Sequence, residues 1–565
     1  MEKRMLLAVV LSFAIFAIFT YVQQQLQPPA PLPGTRSEAP PPTAKPPAAP
    51  APVPATQVQP SASGARQPSG TAQPREIVVE TPLYQAVITE QGARVKSFRL
   101  KKFWDQLPFQ KIAQFSLWMF SIDLQRYRSL GEITNPKELI RIAGPEQLPL
   151  SLTWQTASAT IGPEVIYQAD KKEVVVANNN EVRLNFRHTG ADGITLVKTF
   201  LIRGDSYRWD MISTVQNHTP APLQGSLALS LYDDFHQLEG SGFTGFVWSK
   251  QQSRSEITVG SLKEPQTIDD FEWASLETGF FMMAAVPPAD GVKSVAVIRD
   301  LPNKVMAVTL KTDVAELQPG TEVSVPFVFY FGPKDRTILQ SIGFGLERTV
   351  NFGWFHMLAL PLLYVLNFFY RFFHNWGLAI IALTILIRIL FIYPNHKSFK
   401  SMQNMQKIQP KIAKLREKYK DDREALNKEL MNLYRTYKVN PMGGCLPMLL
   451  QLPVFIALYN LLGYSIELRN APFISTLPFT DIVWLADLSA KDPLLITPII
   501  MGATMFIQQK MTPAPGDPAQ AKMMLFMPII FTFMFLNFAS GLVLYWLLNN
   551  ILAIIQQYYT NKYMS

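Results

Sequence analysis

Cysteine is all but missing from this chain, with Cys445 standing alone among 565 residues. A single thiol excludes a disulfide framework and a cysteine-rich metal site, and it leaves the compartment undetermined. The nucleotide-cradling GxxxxGK[ST] loop is also absent, so nothing in the sequence marks a nucleotide-driven machine. A third absence says more. Five long apolar runs in the carboxyl-terminal part, Trp376–Tyr393, Pro441–Ile466, Leu494–Gln508, Met523–Phe538 and Leu542–Ile555, contain no Asp or Glu. Transporters and proton relays hold their ions with intramembrane acids or paired broken helices, so the sequence argues against that class and against a buried ion pair.

What is present divides the chain. Hydrophobic residues make up 48%, the formal net charge is +9 and the mean hydropathy is +0.08. That is too apolar for an ordinary soluble enzyme and too polar for a wholly embedded protein, so part of the chain is soluble and part lies in a membrane. Met5 to Val22 is an apolar run of spanning length behind Lys3 and Arg4. The following YVQQQLQPP lacks a small-residue cleavage pattern, which favours an uncleaved amino-terminal transmembrane anchor at 1–26 over a cleaved signal. Residues 27–75 are rich in Pro, Ala, Ser and Gln with almost no large apolar side chain; such a stretch cannot bury enough surface to fold and reads as a disordered linker.

Residues 76–333 alternate instead. In EVRLNFRHT, Val182, Leu184 and Phe186 share a face; in SYRWDMISTV, Tyr207, Trp209 and Met211 do; in TEVSVPFVFYF, Val323, Val325, Phe327, Phe329 and Phe331 do. Period two with turn residues between the runs predicts a large antiparallel β-sandwich, placed outside the cytoplasm after one span. A sugar-acting enzyme there would need converging His and carboxylates; His188, His218, His236, Asp233, Asp234 and Glu239 exist, but their spacing marks no site.

From Thr349 the pattern turns helical. Phe352 to Phe373 is aromatic, carries His356, Pro361 and Arg371, and reads as an interfacial amphipathic helix within 349–374. The five apolar runs are spanning candidates, several near the short end of the range. Between the first two, His396 to Asn440 holds a dozen Lys and Arg, whereas Glu467 to Pro493 sets Glu467, Asp481, Asp487 and Asp492 against Arg469 and Lys491. Positive loops stay inside. The expected architecture is a multi-pass α-helical membrane protein of six spans, with a five-helix core at 375–565, both termini in the cytoplasm and the β domain in the periplasm or its equivalent.

Within the basic loop, Ile408, Ile412, Leu415 and Tyr419 are spaced four, three, four, and Leu426, Leu430, Leu433 and Tyr437 repeat that spacing after Asp421 and Asp422. Two such stripes predict an antiparallel helical hairpin at 397–440. They either close the hairpin on itself or dock on a membrane or partner. The apolar runs carry polar stripes of their own. Thr384 and Arg388 lie one turn apart; Thr497, Thr504 and Gln508 share a face, as do Tyr545 and Asn549; Gln451 and Asn460 add amides in the second run. A guanidinium at bilayer depth costs about 2.5 to 3.5 kcal/mol on insertion scales. A hydrated cavity between helices offsets that cost; the alternatives are snorkelling of Arg388 to the headgroups and plain helix-joining hydrogen bonds. Methionines such as Met501, Met505, Met523, Met524 and Met527 suit either a surface for many apolar partners or ordinary packing.

KVNPMGGCLPMLLQLPVFIALYNLL and FMPIIFTFMFLNFASGLVLYWLLNN, with the run around Arg388, closely resemble the YidC/Oxa1/Alb3 family of membrane protein insertases in its Gram-negative form. The resemblance is strong from about Gly353 to Gln557 and weaker over the β region. It implies a non-enzymatic insertase and chaperone of the bacterial inner membrane, needing no cofactor, with a positively charged groove open to cytoplasm and lipid. It also implies a β-supersandwich related in fold to galactose mutarotases. The family's groove arginine falls on Arg388, with Thr384 one turn before, and its pair in the last span, which meets passing substrate helices, falls on Tyr545 and Trp546. Trp546 stands where the enteric pattern has Tyr. Implied partners are nascent membrane proteins, lipid, the Sec translocon (SecYEG, SecDF) and the ribosome, with no sequence-specific nucleic-acid binding. The tail after Tyr559 carries only Lys562, so ribosome contact would fall to the hairpin.

Overall fold

The computed structural model describes residues 74–563, apart from short gaps at 106–108, 118–119, 128–134, 142–143, 158–159, 237–241, 289–292, 421, 438, 440–445 and 513–517. The expected anchor, nearly all of the linker, Glu239 and Cys445 lie outside the described residues. Two compact units are distinguished: residues 414–435 belong to one, while the strands and the remaining helices, within 73–413 and 436–565, form the other.

Most strands between Glu76 and Pro333 assemble into three sheets. The nine-stranded sheet runs, in spatial order, Ser253–Thr258, Gly245–Lys250, Trp273–Glu277, Phe281–Val286, Glu322–Pro333, Arg208–Asn217, Ile194–Arg203, Glu181–Thr189 and Gln168–Ala169. A six-stranded sheet is centred on the antiparallel pair Leu223–Asp234 and Val305–Leu317, and a five-stranded sheet is built around Glu76–Glu80, Tyr84–Thr89 and Arg94–Trp104. All three contribute to one hydrophobic core, for example through Trp209 and Phe327, Leu227 and Leu229, and Val79 and Phe98. Local sequence explains the central strands. In Arg208–Asn217 every second residue is buried, Trp209, Met211 and Val215 among them, because a pleated strand offers alternate residues to its two faces. Trp273–Glu277 and Phe281–Val286 are buried throughout, so alternation vanishes where both faces are covered.

Burial includes the carboxylate of Glu277. It accepts from Ser275 Oγ at 2.7 Å, from Lys334 Nζ at 3.3 Å and from Thr349 Oγ1. A buried acid demands such partners. Because Thr349 ends the short turn leading into the helices, these bonds also tie the sheet to the helical region.

After α1 (Arg336–Ile342), capped by Asp335, come α2 (His356–Phe373), α3 (Trp376–Leu390), α4 (Ile392–Lys418), α5 (Arg423–Thr436), α6 (Leu446–Tyr464), α7 (Ile496–Met511), α8 (Pro518–Phe535) and α9 (Ser540–Tyr563). The five apolar runs coincide with α3, α6, α7, α8 and α9. Helix α9 packs on α3, α6 and α7; α2 packs on α3 and α6; α7 packs on α8. The last contact needs Gly502, since a Cβ there would lie 2.0 Å from Thr532 Oγ1. The predicted hairpin stripes fall on α4 and α5, with α4 starting at Ile392 rather than near 397; Ile408 and Ile412 are buried, and Leu415, Leu426, Leu430 and Leu433 are half-buried.

Among the described residues, Gly353–Phe373 is long and apolar enough to cross a membrane by itself, and α3 with α4 passes the same test as a broken pair. Helix α2 is one-sided, however: Ala359, Leu363 and Leu366 are buried at spacings of four and three, while Met357, Phe368 and Phe372 are exposed. Between α6 and α7, Arg469 joins the helical region to the β domain. Its guanidinium lies over Phe280 and Phe281 at 5.1 and 5.3 Å, and Nη2 donates to Trp104 O at 3.3 Å.

Candidate functional site

Arg388 sits in the last turn of α3, where the 3.6-residue repeat turns it toward α9. Its Nη2 donates to the backbone carbonyl of Asn549 at 2.8 Å, whereas Nε is buried without a hydrogen-bond partner among the described residues. Among the described residues no carboxylate forms an ion pair with it. The side chain as a whole is half-buried. A guanidinium has five donors and no acceptor, so this arrangement leaves donor capacity for a visiting anion.

The surrounding polar residues divide by what they bond. Gln451 Nε2, from α6, donates to the hydroxyl of buried Tyr545 at 3.4 Å. On α7, Thr504 accepts from Asn550 Nδ2 at 3.4 Å while giving its own proton to Met501 O at 2.7 Å. Gln508 is half-buried one turn further on, and Asn549 is buried beside Asn550. The structure thus brings Arg388, Gln451, Thr504, Tyr545 and Asn549 onto helices that meet at α9.

Three expected residues point elsewhere. Thr384 is fully buried and its hydroxyl donates to Ile380 O at 2.6 Å, the carbonyl one turn back. Asn460 Nδ2 donates to Phe352 O at 2.8 Å, tying α6 to the entry of α2. Trp546 packs against Phe455, Phe535 and Phe531, with ring centroids 4.7, 5.3 and 6.3 Å away, and its Nε1 is buried without a partner among the described residues. Two further polar residues extend the α9 face: Asn550, and Gln557, whose Nε2 donates to Met511 O at 2.7 Å. They lie seven apart in the doublets Asn549–Asn550 and Gln556–Gln557, a two-turn spacing on one face that is visible in the sequence.

Among its described residues the β domain assembles no comparable set. Asp233 is paired with Arg141 through bonds of 3.0 and 2.5 Å, not with an imidazole, and His188 Nδ1 meets Ile166 O at 2.9 Å. Among the described residues no group of three or more His, Cys, Asp or Glu is placed to hold a metal ion.

Comparison with known proteins follows the same division. The family profile described as 60Kd inner membrane protein matches residues 368–565, and the YidC periplasmic domain profile matches residues 119–365. The membrane protein insertase YidC of Syntrophus aciditrophicus is 41% identical over 579 residues, covering 100% of each chain. That of Geobacter metallireducens is 40% identical over 573 residues, covering 100% of this chain and 98% of its own. A crystal structure of an active YidC insertase with its first transmembrane domain resolved is 18% identical, covers 86% of this chain and 93% of its own, and superposes with a TM-score of 0.36. The assignment rests on the sequence matches, which run the full length and keep both regions in order: the chain belongs to the YidC family of membrane protein insertases.

Proposed function

We propose that this chain inserts newly made proteins into the bacterial inner membrane and helps them fold, and that the surroundings of Arg388 form the groove that receives their hydrophilic segments. The barrier to insertion is moving polar backbone and side chains through hydrocarbon, where each unsatisfied group costs several kcal/mol. A groove that is wet partway across shortens that path. Arg388 attracts an acidic segment, the amides of Gln451, Gln508 and Asn549 and the hydroxyl of Thr504 keep the groove hydrated, and the apolar walls release a hydrophobic helix sideways into lipid. No covalent step is involved, so the activity is non-enzymatic. Tyr545, bonded to Gln451, closes the inner side of the groove, and Trp546, packed among Phe455, Phe531 and Phe535, forms part of the apolar wall past which the helix leaves.

The carrying observation is the half-buried Arg388, which donates to a backbone carbonyl and has no carboxylate partner among the described residues. The proposed topology has six spans, formed by the amino-terminal anchor and α3, α6, α7, α8 and α9, with α2 lying at the interface. Both termini and the α4–α5 hairpin are cytoplasmic, and the β domain is periplasmic. The hairpin, with Ile408, Ile412, Leu415, Leu426, Leu430 and Leu433, is the proposed contact for ribosome or membrane, and the Sec translocon is a proposed partner. A single-span test protein offered to vesicles with and without the purified chain tests the activity. Protease protection of its translocated tail is expected only in vesicles containing the chain, and equal protection in both overturns the proposal.

A further inference from the structure

Two β-hairpins stand side by side where the β domain meets the helices. One joins Phe109–Leu117 to Phe120–Tyr127, the other Ile474–Thr476 to Val483–Leu485; each is a two-stranded sheet of its own, and Phe120–Tyr127 lies against Val483–Leu485. A two-stranded ribbon is marginal in water unless something covers it. These ribbons nevertheless present apolar side chains outward. Ile112 is 54% exposed, Phe115 is 61% exposed, and Phe479, between the strands of the second hairpin, is as exposed as in an extended chain at 107%. Ile112 is the extra residue of a bulge between Lys111 and Ala113, a device that re-aims side chains. Phe479 has φ +64°, a left-handed conformation that a bulky residue adopts only under strain, and at full exposure no packing among the described residues offsets it.

The roots of both hairpins are fixed beside helix ends. Phe473, at the start of the second, fills the space over Gly377 in α3, where a Cβ would come within 2.0 Å of its ring, and its carbonyl accepts from Asn375 Nδ2 at 3.1 Å. The first hairpin leaves the β domain just beyond Trp104, whose carbonyl is held by Arg469, five residues past the end of α6. In the topology proposed above, on which this inference rests, the end of α6 and the starts of α3 and α7 lie at the periplasmic face of the membrane. At the entry of α2, which that topology puts at the same face, Trp354 and Met357 are likewise 100% and 90% exposed.

We propose that the two hairpins are a membrane-dipping anchor, with Phe115 and Phe479 inserted among lipid chains just below the headgroups of the outer leaflet. Aromatic residues favour that zone because it accepts an apolar ring beside wet backbone. The β domain is thereby held on the bilayer by lipid as well as by Arg469, which limits its swing relative to the helices.

The test uses the full chain in vesicles of phosphatidylethanolamine and phosphatidylglycerol. Cys445→Ser provides a cysteine-free background for single substitutions Phe115→Cys, Phe479→Cys, Lys311→Cys on an exposed face of the β domain, and Ile530→Cys on the exposed apolar side of α8. Each is labelled with a fluorophore. Nitroxides attached near the lipid headgroups are expected to quench positions 115 and 479 several-fold more than 311, with aqueous iodide showing the reverse order. Iodide quenching at 115 and 479 equal to that at 311 overturns the proposal. Shielding from both quenchers also overturns it, by pointing to a protein partner. Position 530, midway along the apolar run Met523–Phe538, is read instead with nitroxides set at mid-chain depth: headgroup quenching at 115 and 479 without mid-chain quenching at 530 upholds the hairpin contact while refuting the proposed span of α8, so the two readings fail separately.

Discussion

Replacing Arg388 tests the groove most directly. The guanidinium spends one donor on Asn549 O at 2.8 Å, and its Nε has no partner among the described residues. A substrate carboxylate about 6 Å away, at an effective dielectric near 20, is attracted by about 3 kcal/mol. At 1.4 kcal/mol per factor of ten, that corresponds to roughly a hundredfold in occupancy. Arg388→Ala is therefore expected to slow vesicle insertion of a test protein with an acidic translocated tail by up to about a hundredfold, while a neutral tail changes by no more than a few-fold. Arg388→Lys keeps the charge and should retain most of the rate. Added salt should narrow the gap, because a wet groove is screened. If Arg388→Ala inserts acidic and neutral tails equally well, electrostatic attraction is refuted and Arg388 is a hydrating or snorkelling residue.

Other expectations concern the frame. Asp233 is 2% exposed, and burial pushes its carboxyl from 3.8 up to about 6 despite Arg141. A carboxyl raised in the folded state stabilises most below its unfolded value, and that contribution is lost as pH rises through about 6, by about 3 kcal/mol. Urea unfolding should show the wild type gaining on Asp233→Asn by about that amount from pH 7 down to pH 4; the opposite trend would mean that the Arg141 charge dominates. Gly502→Ala sets a methyl against Thr532 Oγ1 and should cost about 1 to 3 kcal/mol, read as a lower Tm in detergent. Thr532→Ala in the same chain should restore much of the loss, and absence of rescue would place the strain elsewhere. Arg469→Ala removes a cation stacked on two rings, a contact worth about 2 kcal/mol when desolvated. Faster hydrogen exchange around Trp104 is expected, and unchanged exchange would show that the interface is held by other contacts.

Local order was written in the sequence. Alternation in Arg208–Asn217 produced a strand with alternate burial, and the five apolar runs became α3, α6, α7, α8 and α9, because period and length act over neighbouring residues. The uniformly buried strands Trp273–Glu277 and Phe281–Val286 show no alternation, since their pattern depends on what covers the second face. The same divide runs through the candidate groove. Sequence spacing put Thr384 and Arg388 on one face, but only packing turned the threonine to Ile380 O and the arginine to Asn549 O, 161 residues away. Asn460 was visible as an amide in an apolar run; that it clasps Phe352 was decided by α6 meeting the entry of α2. The sequence by itself determined the elements, the charge asymmetry and the family. The partners of each polar side chain waited on tertiary structure, because a buried donor bonds to whichever acceptor the fold brings near, and for Arg388 and Asn460 that acceptor lies on a distant segment.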